Sequence, residues 1–159
     1  MTDSISLVPV ERQEQAAVAR ELFLEYAAAI GVDLEYQGFT AELEALPLPY
    51  APPHGVLLIA QINGDTAGCV ALRPINAESG EMKRLYVRQS FRSRGLGKHL
   101  IEAAIQAARR AGYNALRLDT LASMAAAQAL YRRLGFIEIP AYNSDHLPGT
   151  RFYEIKLSA

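Results

Sequence analysis

Glu81-Met-Lys-Arg-Leu-Tyr-Val87, followed by Arg88-Gln-Ser-Phe-Arg92-Ser-Arg-Gly95-Leu-Gly97-Lys98, is the stretch that sets the architecture of this chain. Its first seven residues read as a strand. Beyond the turn, Leu96, Leu100, Ile101, Ala104, Ile105 and Ala108 recur at helical spacing, with Arg109 and Arg110 in the last turn and Gly112 placed to cap it. A strand that runs through a glycine-containing turn into a helix gathers unpaired backbone N–H groups and the positive end of the helix dipole at one point. Phosphate groups bind such points. The region is also basic: Lys83, Arg84, Arg88, Arg92, Arg94 and Lys98 fall within residues 83–98 without an intervening acid. Charge concentrated in this way suits a small anionic ligand better than a long polyanion held along a face.

Upstream, Val56 to Ile62 and Ala67 to Arg73 are joined by Asn63-Gly64-Asp65, a hairpin signal because Asn-Gly tolerates the positive φ angles of a tight turn. The Glu81 strand extends this hairpin into a meander. Ser4 to Val8 reads as a first strand, and Glu11 to Ile30 as a surface helix with Val18, Leu22, Tyr26 and Ala29 inward and Gly31 as its stop. Thr40 is placed to cap a short helix over Ala41 to Leu46, after which Pro47, Pro49, Pro52 and Pro53 enforce an irregular connection. Downstream, Ala115 to Asp119 is a strand, and Ser123 is placed to cap a helix that runs to Leu134 before Gly135. Phe136 to Ile139 and Arg151 to Leu157 are the final strands. The order predicts one mixed α/β domain over residues 1–159.

The chain has 159 residues, of which 50% are hydrophobic and 21% charged, and a mean hydropathy of +0.03, so it falls in neither the disordered nor the membrane class. A formal net charge of −1 argues against a nucleic-acid partner bound through bulk positive charge. That average hides an acidic front: residues 1–47 carry Asp3, Glu11, Glu14, Glu21, Glu25, Asp33, Glu35, Glu42 and Glu44 against Arg12 and Arg20. The single cysteine, Cys69, excludes an internal disulfide framework and, lying in the apolar run Ala67 to Leu72, reads as a small buried hydrophobe. His54, His99 and His146 share no ligand-like spacing, so no metal is expected. The opening MTDSISLVPVE lacks an apolar targeting region and no run reaches membrane-spanning length, which predicts a cytoplasmic protein with no membrane partner.

Two familiar phosphate motifs do not fit the turn. A Walker A loop needs Gly where this chain has Arg92, and Ser or Thr where it has His99. The dinucleotide fingerprint needs a third glycine where Leu100 stands. What fits is Arg-x-x-Gly-x-Gly at Arg92, Gly95 and Gly97, joined farther on by Ala127-Gln-Ala-Leu-Tyr131-Arg-Arg-Leu-Gly135-Phe136. In these two motifs and their order the chain resembles the GNAT family of N-acetyltransferases, from about Val56 to Phe136. One departure is Met124, seven residues before Tyr131, where the family often has Asn.

The resemblance implies the GNAT acyl-CoA N-acyltransferase fold, a mixed, mostly antiparallel sheet of about seven strands flanked by about four helices. It implies acetyl-CoA as cosubstrate, with the pyrophosphate wrapped by Arg92, Ser93, Arg94, Gly95, Leu96, Gly97 and Lys98, and the pantetheine arm held by Leu85, Tyr86, Val87 and Ala127. Tyr131 is then the candidate general acid toward the departing thiolate, because a phenol stays protonated at neutral pH. Glu81, six residues before Val87, is the candidate base toward the amine, with an ion pair to Lys83 or Arg73 as its equally weighted alternative. The acceptor implied is a small amine-bearing molecule, amino-acid-like if Arg73 and Arg84 clamp a carboxylate, with Tyr36, Phe39 and Tyr142 in the loops that build its cleft. A non-catalytic acyl-CoA sensor on the same fold is the alternative. Members of the family often form homodimers, and nothing in these residues decides monomer against dimer.

Overall fold

The computed structural model describes residues 3–157. Its elements in chain order are β1 (Ile5–Pro9), α1 (Gln13–Ile30), α2 (Phe39–Ala45), β2 (Val56–Ile62), β3 (Asp65–Pro74) and β4 (Ser79–Val87). They continue with α3 (Leu96–Arg110), β5 (Ala115–Thr120), α4 (Ala125–Arg133), β6 (Ile137–Ile139) and β7 (Arg151–Lys156). Short 3-10 helices occupy Leu34–Gln37 and Gln89–Phe91. The strands form one sheet in the order β1-β2-β3-β4-β5-β7-β6, antiparallel throughout except for the parallel pair β4 and β5. This is the mostly antiparallel seven-stranded sheet expected. Among the described residues no helix is long and apolar enough to cross a membrane.

Local chemistry explains the elements. Asn63 and Gly64 take φ of 52° and 88°, the hairpin turn that the Asn-Gly pair allows. Gly31 ends α1 in the left-handed conformation. α3 buries the six residues that its periodicity marks, Leu96, Leu100, Ile101, Ala104, Ile105 and Ala108. These pack with Tyr131, Phe136 and Tyr153 on one face of the sheet, while α1 and α2 cover the other through Leu22, Phe23 and Phe39 over Leu57, Ile59, Cys69 and Ala71. The Cys69 thiol is fully buried and donates to the Arg84 carbonyl, and burial pushes its pKa up.

Three local expectations are corrected. The buried stripe of α1 centres on Ala19, Leu22 and Phe23 and continues through Tyr26 and Ile30, so Ala29, one position round the helix, is exposed. Thr40 lies inside α2 and Gly38 stands at its start. The Thr40 amide, an orphan donor of the first turn, is taken by the Glu35 carboxylate at 2.7 Å, which the preceding 3-10 helix brings within reach. Ser123 does not cap α4: Met124 occupies the N-cap without a side-chain bond, and the Gln128 side chain ties the helix back to the Leu121 carbonyl at 2.9 Å.

The β3/β4 pair carries a β-bulge. Ala71 pairs with Lys83 and Cys69 with Tyr86, so β4 holds one extra residue, and Arg84 takes a φ of 58° to absorb it. Gly68 sits beside the bulge, and a Cβ there would lie 2.3 Å from the Tyr86 backbone oxygen. Neither strand can yield cheaply at that point. Gly68→Ala is therefore expected to destabilise the protein by about 1–3 kcal/mol, read as a lower midpoint in chemical denaturation, and an unchanged midpoint would refute the close approach.

Candidate active site

β4 and β5 start together and then part. Their parallel pairing covers Ser79 with Ala115, Gly80 with Leu116 and Glu81 with Arg117, and ends there, although β4 continues to Val87 and β5 to Thr120. The separation opens a slot through the middle of the sheet. On its β4 side the backbone groups alternate: the Arg88 amide donates to the Ala67 carbonyl, which makes Gly68 and Val87 a non-hydrogen-bonded pair. The Val87 N–H is therefore directed away from β3, toward the slot. The Val87 carbonyl, on that same edge, accepts from Arg92 Nε at 3.0 Å.

The turn beyond β4 has the form expected of an anion cradle. Ser93 and Gly95 take φ of 65° and 78°, and α3 begins at Gly95 with no side-chain cap and no acid in its first turn. Arg92, Ser93, Arg94 and Lys98 are exposed around it. Arg94 lies over the Phe91 ring and 3.8 Å from Asp3. The basic run divides, however. Arg84 is buried with Glu42 on both carboxylate oxygens at 2.7 and 2.9 Å, and Arg88 is held by Glu25 at 2.7 and 2.9 Å. The acidic front of the chain thus neutralises part of the cluster, and the charge left at the turn is that of Arg92 and Lys98, with Arg94 loosely paired to Asp3.

Inside the slot, a cavity is lined by Tyr26, Met82, Lys83, Leu85, Asp119, Thr120, Met124, Tyr131 and Thr150 among others. Tyr131 packs its ring on Phe136 and Tyr153, with centroids 5.7 and 6.1 Å apart. Burial, then the nearby Tyr26 and Asp119, push its phenol pKa above the ordinary value, so it holds its proton at neutral and moderately alkaline pH. Ala127 is half-buried on the preceding turn of α4. Thr120 Oγ1 and Thr150 Oγ1 are buried in the cavity wall without a hydrogen-bond partner. Buried hydroxyls are normally satisfied, so a cavity with two orphans is suited to a polar guest.

A second, open recess of about 630 Å3 adjoins the first. Tyr36, Gln37, Lys83, Arg84 and Asp119 line both, and the outer one adds Glu42, Leu48, Tyr50, Arg73, Asn143 and Asp145. Of the residues expected at the acceptor cleft, Tyr36, Arg73 and Arg84 line this recess. Phe39 lies behind it, with Arg84 5.4 Å above its ring, and the Tyr142 hydroxyl reaches Glu81 Oε2 at 2.5 Å. Glu81 itself takes the ion-paired arrangement, accepting from Arg73 Nε at 2.7 Å on its other oxygen. Burial pushes the Glu81 pKa up, but Lys83, Arg73 and the Tyr142 hydroxyl outweigh it, and the carboxyl titrates below its ordinary value. The sequence offered Lys83 only as part of the basic run and as an ion-pair partner for Glu81, Asp119 only as the end of a strand, and nothing at Thr120. Their common signal is alternation on strands whose ends part, and that parting is visible only once the strands are paired.

Comparison with known proteins places this geometry. The family model described as acetyltransferase (GNAT) family matches residues 19–136. An uncharacterised N-acetyltransferase of Schizosaccharomyces pombe is 34% identical over 157 residues, covering 98% of this chain and 96% of its own. Among solved structures, an acetyltransferase from Streptococcus agalactiae superposes with a TM-score of 0.78 at 20% identity, covering 96% of this chain and 98% of its own. A Salmonella typhimurium structure solved with its cofactor acetyl-CoA superposes with a TM-score of 0.68 at 20% identity, covering 100% of this chain and 96% of its own.

Proposed function

Since the chain belongs to the GNAT family of acetyltransferases, we propose that it moves the acetyl group of acetyl-CoA to a primary amine of a small molecule, by direct attack in a ternary complex. The observation that carries this reading is the opening between β4 and β5, with an uncapped helix start at one end and an acceptor-sized recess at the other. Acetyl-CoA supplies an activated thioester carbonyl. The residues present fit it: the first-turn amides of α3, with Gly95 and Gly97 leaving them open, suit the pyrophosphate, and Arg92, Ser93, Arg94, Leu96 and Lys98 surround it. The free β4 edge at Leu85, Tyr86 and Val87 suits the pantetheine amides, with Ala127 on α4 opposite.

In the reaction, the Val87 N–H directed into the opening is a preorganised donor for a developing oxyanion. Tyr131 holds a proton on its hydroxyl and delivers it to the leaving thiolate. Glu81 is a carboxylate at neutral pH with both oxygens engaged, so it anchors Arg73 and Tyr142 at the recess wall and takes the amine's proton only through a relay.

Tyr131→Phe keeps the aromatic packing and removes only the acid. It is expected to lower kcat by about 100-fold or more while acetyl-CoA still raises the Tm, measured by amine-dependent release of CoA thiol. Unchanged turnover would remove the acid role. An absence of CoA release with every amine, despite acetyl-CoA binding, would point instead to an acyl-CoA sensor.

A further inference from the structure

Two charges of opposite sign face each other across the slot, and among the described residues neither is held in a salt bridge. Glu81 and Arg117 are the last residues paired between β4 and β5, and two residues farther along each strand stand Lys83 and Asp119, on the same face of the sheet. The strands have parted by then, so the two side chains form opposite walls of one opening. Both line the inner cavity and the outer recess, at the place where these meet.

Lys83 offers three donors and places one, on Gln37 Oε1 at 3.2 Å. Burial lowers its pKa against the pull of Glu81 and then Asp119, yet among the described residues no carboxylate oxygen comes within salt-bridge distance of it, because Glu81 bonds to Arg73 and Tyr142 and Glu42 to Arg84 and Tyr50. A half-buried ammonium with unused donors is a site for an anion. Arg73, 42% exposed beside Glu81, offers further donors in the same recess. Asp119, across the opening, is the matching site for a cation.

From this we propose that the acceptor is a free amino acid, its carboxylate bound by Lys83 with Arg73 beside it and its amino group directed by Asp119 toward the slot. The inference rests on the transferase reading above and names its substrate class. The outer recess, with Leu48, Tyr50 and Ala45 on its wall, receives the side chain.

The test uses the full-length protein with acetyl-CoA and a panel of the L-amino acids, their carboxamides and the corresponding decarboxylated amines, read by CoA-thiol release. The acids that react are expected to exceed their carboxamides in kcat/KM by about tenfold to a hundredfold, the range for losing a hydrogen bond to a charged group. Lys83→Met is expected to erase that ratio, chiefly through KM, and Lys83→Arg to retain a preference for the acid. Asp119→Asn lowers kcat/KM for acids and amides alike, since both present the same amine. Carboxamides or decarboxylated amines that match the acids in the unaltered protein would overturn the proposal and leave the transferase reading standing. That ratio decides whether or not Lys83→Met folds. A panel in which no amine releases CoA thiol would overturn both.

Discussion

Replacing Gly97 by valine is expected to abolish the thermal stabilisation that acetyl-CoA confers. Gly97 lies half-buried in the first turn of α3, and a Cβ there would sit 3.5 Å from Leu130 Cδ2, an ordinary contact. The two further methyls of valine extend from that Cβ beside Leu130 and over the first turn of α3, where they are expected to shield the unpaired amides. A phosphate held off those amides loses charge-assisted hydrogen bonds of about 1.5–3 kcal/mol each, so two such losses weaken binding by about a hundredfold or more. The Tm rise at a fixed acetyl-CoA concentration then disappears. Gly97→Ala, whose methyl fits, is expected to keep most of it. A valine variant that acetyl-CoA stabilises as well as the unaltered protein would show that the pyrophosphate binds elsewhere.

The second large effect is on stability. Glu42→Ala leaves the Arg84 guanidinium without its carboxylate in a place where only 3% of that side chain is exposed, and it also removes the acceptor of the Tyr50 hydroxyl at 2.8 Å. Breaking a buried pair from one side costs about 3–5 kcal/mol, because the remaining charge is stranded in a low-dielectric site. For a domain of this size that corresponds to a Tm lower by roughly 10 °C. Glu42→Gln, which keeps an acceptor oxygen, is expected to lose less. A Tm within about 2 °C of the unaltered protein for Glu42→Ala would mean that Arg84 is solvated after all. The pair links α2 to the bulge of β4, so its loss is also expected to disturb the recess that both residues line.

The degree to which the site was legible in the sequence varies with how local each signal is. The turn from Arg92 to Lys98 and the helix after it are encoded within some twenty residues, by glycines that permit left-handed backbone and by an apolar repeat of helical period. Both were readable directly. Tyr131 was readable because its motif is contiguous. Glu81 was found, but the choice between base and ion pair depended on Arg73 and Tyr142, residues that pairing with β3 and the loop before β7 bring to it. Lys83 and Asp119 carry no local signal, since a lysine in a basic run and an aspartate at a strand end have many ordinary explanations.

Sequence by itself determined the family, the order of strands and helices and the place of the phosphate turn, because each follows from short-range pattern: alternation, helical period, glycine at positive φ. Tertiary structure alone decided how charge is distributed. In the chain the acidic front and the basic run at residues 83–98 are separate features. In the fold, α1 and α2 lie across β4, so Glu25 and Glu42 neutralise Arg88 and Arg84. The parting of β4 from β5 leaves Lys83 opposite Asp119, and among the described residues neither makes a salt bridge. The reason is physical: Coulomb energy depends on distance and burial, and neither is a property of spacing along the chain.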